Sequence, residues 1–205
     1  MPVKVKICGI TNLADGLVAV EAGADAVGFV FYDKSPRAVS VEVASSIARD
    51  LPPLVVKVGV FVDALEEAVS VAAQKCGLDL LQFHGAESPE YCLRFGLMSI
   101  KAFRIQDRAS LSDLPNYETH AWLLDAYSPS QLGGTGATFN WDLALEAKKW
   151  GRPIFLAGGL TPQNVADAVR QTQPYAVDVS SGVEASPGRK DHAKVKAFVQ
   201  AAKAA

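Results

Sequence analysis

Two glycine-bearing turns in the last third of the chain have the composition of a phosphate-binding site. The apolar run 154–157 leads into Gly158-Gly159, and the run 176–179 leads into Ser180-Ser181-Gly182. Glycine exposes backbone N–H groups without a side chain in the way, and successive N–H groups form concave anion sites. Two such turns after adjacent buried strands predict a site for a phosphate dianion. Its candidate residues are Gly158, Gly159, Ser180, Ser181 and Gly182.

A thiol and a carboxyl group are candidates for proton transfer. Cys8 ends the first apolar run of the chain, and Asp125 ends the run 122–124. A cysteine is a base only as a thiolate, so a nearby positive charge or dipole must lower its pKa from roughly 8.5. A carboxyl group at the end of a buried strand suits a general acid. The residue types alone leave two alternatives open, a buried apolar cysteine and an aspartate that caps a loop.

Three further polar residues follow apolar runs and predict contacts with a ligand. Arg37 ends a turn in which Pro36 restricts the backbone, and its planar guanidinium suits a bidentate bond to a carboxylate. Gln82 and His84 close another apolar run and can supply neutral hydrogen bonds. Because a lone histidine is commonly structural, His84 is predicted to bind rather than to catalyse.

Lys6 is predicted to carry a buried charge. Side chains alternate between the two faces of a strand, so Lys6 and Cys8 share one face. If Cys8 points to the interior, Lys6 does so too and needs a partner of opposite charge. Asp178, on the last predicted strand, is the expected partner.

The elements that must position these residues alternate along the chain. Eight apolar or β-branched runs predict strands at 3–8, 26–31, 55–62, 80–83, 100–105, 122–126, 154–157 and 176–179. Helical patterns lie at 13–22, 41–50, 65–75, 89–95, 141–149, 162–171 and 191–202. Residues 106–119 are predicted to be irregular, and Asp63 is predicted to cap the third helix.

This alternation predicts an α/β protein with a closed (β/α)8 TIM barrel. Strands that alternate with helices pair in parallel through crossover connections, and eight such strands suit a barrel. The alternative is an open doubly wound sheet, which would need a G-x-G-x-x-G turn after the first strand instead of Cys8-Gly9-Ile10-Thr11. In a barrel the carboxyl ends of all strands share one face, so the candidate residues are expected to meet there.

Composition narrows the classes of partner. The chain has 205 residues and is 49% hydrophobic, which fits one domain over residues 1–205. A net charge of −2 without a dense Lys/Arg run argues against nucleic acid, and no apolar stretch approaches the roughly 18 residues of a membrane span. Three cysteines without metal-ligand spacing favour a reducing cytoplasm, where phosphorylated small molecules are found. Monomer and homodimer both remain open.

Taken together, these motifs resemble the phosphoribosylanthranilate isomerase family. The matching segments are KICGIT at 6–11, GFVF at 28–31, KSPR at 34–37, QFHG at 82–85, Asp125 with GGTG at 133–136, LAGGL at 156–160, DVSSGVE at 178–184 and PGRKD at 187–191. Each motif is weak alone, but the ordered set is specific and runs from the first strand to the last helix. Phe83 departs from the leucine expected between Gln82 and His84.

The resemblance implies an isomerase of tryptophan biosynthesis. Its reaction is the Amadori rearrangement of N-(5-phosphoribosyl)anthranilate to the corresponding 1-deoxyribulose 5-phosphate, an intramolecular aldose–ketose conversion. Cys8 is then the general base, Asp125 the general acid, Arg37 the clamp for the anthranilate carboxylate, and the glycine turns the phosphate cradle. No metal or organic cofactor is expected, because the nitrogen of the substrate accepts the electrons. The Gly-, Ser- and Pro-rich loop 127–138 is expected to close over the substrate.

Other functions remain compatible with the residues alone. A Schiff-base aldolase would use a lysine at a strand end, whereas Lys101 lies inside the fifth predicted strand. A synthase that handles diphosphate would need acidic residues for magnesium. A phosphate-ligand sensor without activity would keep the glycine turns and would not need Cys8 and Asp125.

Overall fold

Eight short parallel strands close into a barrel, in which each strand pairs with its neighbours in sequence and the eighth pairs with the first. The strands are β1 (Lys4–Cys8), β2 (Ala26–Val30), β3 (Val56–Phe61), β4 (Leu80–Phe83), β5 (Met98–Ile105), β6 (Ala121–Ala126), β7 (Ile154–Leu156) and β8 (Ala176–Val179). The computed structural model describes residues 2–126 and 141–205. The predicted TIM barrel is confirmed, with strand limits that differ from the predicted ones by at most two residues.

Helices cover most of the outer face of the barrel. They are α1 (Leu13–Glu21), α2 (Val41–Asp50), α3 (Glu66–Cys76), α4 (Pro89–Cys92), α5 (Asp142–Lys148), α6 (Val165–Thr172) and α7 (His192–Lys203). Between β5 and β6, a fully described segment, the chain forms two 3₁₀ turns and no α-helix, which confirms the irregular stretch. A hairpin of β9 (Glu184–Ser186) and β10 (Arg189–Lys190) follows β8. Within the described ranges, no helix has the length and apolar character needed to cross a bilayer.

The starts of α1, α2, α4 and α7 follow the capping rules, and the start of α3 does not. The side chains of Asn12 and Ser40 each accept a hydrogen bond from the backbone N–H three residues further on, at the start of α1 and α2. The predicted cap of α3 was wrong. Asp63 lies in the left-handed region with φ 49°, and its Oδ1 accepts a hydrogen bond of 2.6 Å from the backbone N–H of Ala86. The carboxylate therefore serves the loop after β4 instead of the helix that follows β3.

The interior of the barrel changes from apolar to polar along its axis. Apolar side chains fill the middle and the amino-terminal end: Ala26, Val58, Leu80, Ile100, Ala102, Ala121, Leu123, Phe155 and Ala176. Two residues further along their strands, buried Gln82, Asp125 and Asp178 replace them. Alternation along each strand sends these polar side chains to the same interior face. The apolar layer thus forms the floor of a polar cavity at the carboxyl ends of the strands.

A buried ion pair fixes the loops after β3 and β4. Lys101 and Glu87 are both almost fully buried, with Nζ 2.9 Å from Oε2. The Glu87 carboxylate also accepts hydrogen bonds of 2.9 Å from the backbone N–H groups of Asp63 and Gly85. Lys101 Nζ donates to the carbonyl of Gly85 at 2.6 Å. Lys101 is therefore occupied on the outer side of β5, since its neighbours Ile100 and Ala102 point into the barrel.

Candidate active site

One cavity at the carboxyl ends of the strands contains every residue that the sequence predicted for the site. Its lining includes Cys8, Arg37, Gln82, His84, Asp125, Gly158, Gly159, Ser180, Ser181 and Gly182. These residues come from six strands or the loops that follow them, as expected for a barrel whose strand ends share one face. The predicted loop 127–138, which contains Gly133 and Gly136, lies outside the described residues.

Cys8 lies at the end of β1 above a buried ion pair. Its thiol is free and only 7% exposed. Lys6, on the same face of β1, places Nζ 2.9 Å from Oδ1 of Asp178, which confirms the predicted pair. Burial raises the pKa of the Cys8 thiol, and the positive charge of Lys6 opposes that rise. The thiol is thus the one described cysteine sulfur that lines the cavity, since Cys76 and Cys92 lie in α3 and α4.

Asp125 ends the buried part of β6 and faces a histidine from β4. His84 Nε2 lies 3.4 Å from Asp125 Oδ2. The other ring nitrogen, Nδ1, lies 3.2 Å from Nε2 of Gln82. The amide nitrogen of glutamine only donates, so Nδ1 of His84 accepts this bond, while Nε2 is buried without a hydrogen-bond partner among the described residues. Gln82 thus orients the ring of His84, which lies beside the carboxyl group of Asp125.

The two glycine turns approach each other closely. Gly158 and Gly159 have φ values of 78° and 67°, a left-handed conformation that favours glycine. A Cβ atom at Gly182 would lie only 1.9 Å from the carbonyl oxygen of Leu160. The hydroxyl oxygen of Ser180 is buried without a hydrogen-bond partner among the described residues. The turns after β7 and β8 thus form one polar concavity with an unused hydroxyl group.

Arg37 is held by a glutamate that sequence reasoning did not assign to the site. Its Nε and Nη2 donate to the two carboxylate oxygens of Glu184 at 2.8 and 2.7 Å. Lys190 Nζ donates to Glu184 at 2.9 Å and to the carbonyl of Ser180 at 3.2 Å. Burial disfavours the Glu184 carboxylate, but Arg37 and Lys190 outweigh this effect and lower its pKa. The contacts described for Arg37 leave Nη1 available to a ligand in the cavity.

The signal for Glu184 was present but ambiguous. Glu184 and Lys190 lie in the last matching motifs, and nothing in their spacing indicates that they meet Arg37, which is 147 residues away from Glu184. Only the closure of the barrel brings the loop after β2 against the hairpin after β8. The sequence offered one clue to this contact: the loops with these opposite charges follow β2 and β8, the two strands that flank β1.

Comparison with known proteins agrees with this geometry. A model of N-(5'-phosphoribosyl)anthranilate (PRA) isomerase matches residues 5–201. The N-(5'-phosphoribosyl)anthranilate isomerase of Geobacter sp. (strain M21) is 60% identical over 200 residues, which cover 98% of each chain. The crystal structure of phosphoribosyl anthranilate isomerase from Thermotoga maritima superposes with a TM-score of 0.94 at 46% identity, covering 99% of this chain and 100% of that one. This chain belongs to the phosphoribosylanthranilate isomerase family.

The family assignment gives the activity of the chain. It is an isomerase that converts N-(5'-phosphoribosyl)anthranilate in tryptophan biosynthesis. A phosphoribosyl anthranilate isomerase has also been solved in complex with reduced 1-(o-carboxyphenylamino)-1-deoxyribulose 5-phosphate. That structure has a TM-score of 0.90 and 43% identity, covering 99% of this chain and 100% of the other. A phosphorylated sugar joined to a carboxyphenyl group is thus an established ligand of a close structural relative.

Replacing Gly182 by alanine is expected to damage substrate binding. The added Cβ must push the turn after β8 away from the carbonyl of Leu160, so the two turns no longer form one concavity. We expect KM to rise by about tenfold or more, with a smaller change in kcat. Steady-state isomerase kinetics measure both. Gly77→Ala, at a left-handed helix end far from the cavity, is the control and should alter stability only. An unchanged KM for Gly182→Ala would contradict a role of the two turns in phosphate binding.

Proposed function

We propose that the cavity binds N-(5'-phosphoribosyl)anthranilate with its phosphate on the glycine turns and its carboxylate on Arg37. Gly158, Gly159, Ser180, Ser181 and Gly182 would supply N–H and hydroxyl donors to the phosphate, as two converging turns in a barrel suit this group. Nη1 of Arg37 would bind the anthranilate carboxylate. Holding both ends of the substrate fixes the ribose between them, which is the positioning that acid–base catalysis needs.

In the proposed mechanism Asp125 and Cys8 act in sequence. Asp125 donates a proton to the ring oxygen of the ribose, and the C1′–O bond breaks to leave an iminium ion. This cation acidifies the proton on C2′, which the Cys8 thiolate removes. The electron pair moves into the C1′–C2′ bond, and the iminium nitrogen becomes the amine of an enolamine. The enolamine then tautomerises to the 2′-ketone, so the reaction rearranges protons and electrons within the substrate and needs no external oxidant.

The observation that carries this proposal is the presence of the thiol and the carboxyl group in one cavity with the phosphate turns. Each group has the support that its role requires. Cys8 has a cation close to it, and Asp125 is buried with the ring of His84 3.4 Å from its carboxyl group. The Schiff-base alternative is not favoured, since Lys101 is bound to Glu87 and to the carbonyl of Gly85 on the outer side of β5.

Removal of either proton-transfer group is expected to abolish most turnover. For Cys8→Ser and Asp125→Asn we expect kcat to fall by about 10²–10⁴-fold, the usual contribution of a general acid or base, with little change in fold. The decay of substrate fluorescence on isomerisation measures this. Cys76→Ser and Asp79→Asn, which lie outside the cavity, are the matched controls and should retain wild-type turnover. Turnover within about twofold of wild type in either catalytic variant would remove that residue from the mechanism.

The proposed role of Arg37 predicts a change in substrate selectivity. Arg37→Lys keeps the charge but loses the guanidinium fork. In the wild type this fork bonds Glu184 through Nε and Nη2 and keeps Nη1 available to the ligand. We expect KM for the substrate to rise about tenfold or more, and KM for the phosphoribosyl derivative of aniline, which lacks the carboxylate, to change much less. Comparing the two compounds isolates the carboxylate contact. Arg94→Lys, at an exposed pair with Glu66, is the control. Equal losses for both compounds would assign Arg37 a structural role only.

We also propose that the chain forms a homodimer through the amino-terminal end of the barrel. The phosphoribosylanthranilate isomerase of Thermotoga maritima is dimeric. At this end of the present barrel, Leu54 is 97% exposed beside a largely apolar cavity of about 430 Å³. Met98 and Tyr175 line the same cavity and are about half exposed. Exposed apolar residues that surround an apolar cavity are typical of a protein–protein contact.

The dimer proposal is tested by sedimentation velocity. The wild-type chain is expected to sediment as a dimer at micromolar concentration, and Leu54→Ser should shift it toward the monomer because the most exposed apolar side chain of this end is lost. Leu65→Ser is the control, because Leu65 is also highly exposed but lies before α3, outside this surface. A wild-type chain that remains monomeric at all concentrations would contradict the proposal.

The remaining properties follow from the same observations and are also proposals. Residues 1–205 would act as one domain, because β1 pairs with β8 and thereby joins the two ends of the chain. A cytoplasmic location is supported by three free cysteines and by the phosphorylated substrate.

A further inference from the structure

A buried lysine lies directly beneath the thiol of the proposed base. Lys6 is 1% exposed and sits two residues before Cys8 on the same face of β1. Its ammonium group bonds Asp178, which is its register partner on β8, at 2.9 Å. A lysine in a barrel core is costly to bury, and an apolar side chain would fill this position without that cost. The position therefore calls for a reason beyond packing.

A glycine on β2 gives Lys6 access to the thiol. Gly28 is the register partner of Cys8, and a Cβ atom there would lie 2.8 Å from Cys8 Sγ and 3.2 Å from Cε of Lys6. The Cys8 thiol and the Lys6 side chain thus share the space that a side chain at position 28 would fill. The Cys8 sulfur and the end of the Lys6 side chain therefore lie side by side, each about 3 Å from the same point.

The charged surroundings of Cys8 are mixed, and Lys6 is the nearest cation. The titratable and charged groups around the thiol are Lys6 on β1, Asp178 on β8, Lys190 on β10, and Tyr32 and Arg37 after β2, with His84 and Asp125 in the same cavity. Lys190 is already bound to Glu184 and to the carbonyl of Ser180. Burial of the thiol favours its neutral form, so a thiolate in this cavity needs a counter-charge.

We propose that Lys6 is a positioning residue that stabilises the Cys8 thiolate, with Asp178 holding its ammonium group and Gly28 leaving the space for their contact. An ammonium group has three donors, so Lys6 can bond Asp178 and the thiolate at the same time. When Cys8 takes up the substrate proton, its charge disappears, and Asp178 keeps Lys6 paired. The buried cation is thus never without a partner in either state of the base. The proposal rests on Cys8 being the base.

The ionisation of Cys8 can be measured without turnover. In a Cys76→Ala/Cys92→Ala background, iodoacetamide labels Cys8 at a rate that follows its thiolate fraction, and mass spectrometry reads the label across a pH series. For Lys6→Met we expect the thiol pKa to rise and the labelling rate at pH 8 to fall about tenfold or more, since one pKa unit is a tenfold change in thiolate at a pH below the pKa. Lys4→Met is the matched control, because Lys4 lies on the same strand but pairs with Asp25 at the surface.

A second variant predicts a shift in the opposite direction. Asp178→Asn removes the negative charge near the thiol and frees Lys6 for it, so the thiol pKa should fall. Loss of packing alone would not shift the thiol pKa in opposite directions in Lys6→Met and Asp178→Asn. If Lys6→Met leaves Asp178 unpaired and does not fold, Lys6→Met/Asp178→Asn removes both charges and should still raise the thiol pKa, because Lys6 is the stronger influence.

The outcomes separate this inference from the proposed function. A pH profile of labelling that is unchanged in Lys6→Met, or a thiol pKa that rises in Asp178→Asn, would overturn the role of the pair. Turnover that survives in Cys8→Ser would instead overturn the base assignment, while the labelling result would stand by itself. Lower kcat in Lys6→Met together with a basic shift in its pH dependence would agree with both.

Discussion

The pairing of β1 with β8 is the constraint on which the other features of the structure depend. The register joins Lys6 to Asp178 and Ile7 to Val179, across most of the length of the chain. The next residues along these strands are Cys8 and Ser180, so the thiol comes to lie beside the second glycine turn. A slip of one residue would turn Lys6 and Cys8 toward the helices and leave Asp178 without its partner. The pairing that closes the barrel therefore also brings the cavity residues together.

Buried charges at the carboxyl ends of the strands occur in partnered groups. Lys6 bonds Asp178, Lys101 bonds Glu87, and Glu184 bonds both Arg37 and Lys190. Each group joins segments that are distant in sequence or belong to different loops. A buried charge that loses its partner costs about 3–5 kcal/mol, which is a large part of the stability of a typical domain. Charge pairing thus holds the loops that present the cavity residues, in addition to the packing of buried Ile10, Leu160 and Val183.

Much of the fold and of the cavity could be predicted because both follow from periodicity. Apolar runs that end in polar or glycine residues located all eight strands, and the convergence of strand ends in a barrel brought Cys8, Asp125 and the glycine turns together. Alternation along β1 was sufficient to predict the pair of Lys6 with Asp178. These inferences need only the spacing of residues within an element and the handedness of its connections.

The features that could not be predicted depend on the course of loops. Asp63 follows a strand and precedes a helix, which is the usual position of a cap, but the loop after β4 passes close enough to take its carboxylate. The partner of Arg37 was missed because the hairpin that carries Glu184 has no periodic signal. Gly28 was recognised as part of a motif, and its purpose becomes evident only from the register that sets it against Cys8. Spacing along the chain cannot reveal which side chains two loops bring together.

The hairpin of β9 and β10 connects Arg37 to the turn that follows β8. Glu184 orients Arg37, and Lys190 connects Glu184 to the backbone of Ser180, so a shift of the hairpin disturbs both places at once. An arginine that is already held by two bonds also has little rotational freedom left to lose when a ligand arrives. Redesign of the cavity should therefore change Arg37, Glu184 and Lys190 together or not at all, because Glu184 bonds both of the others.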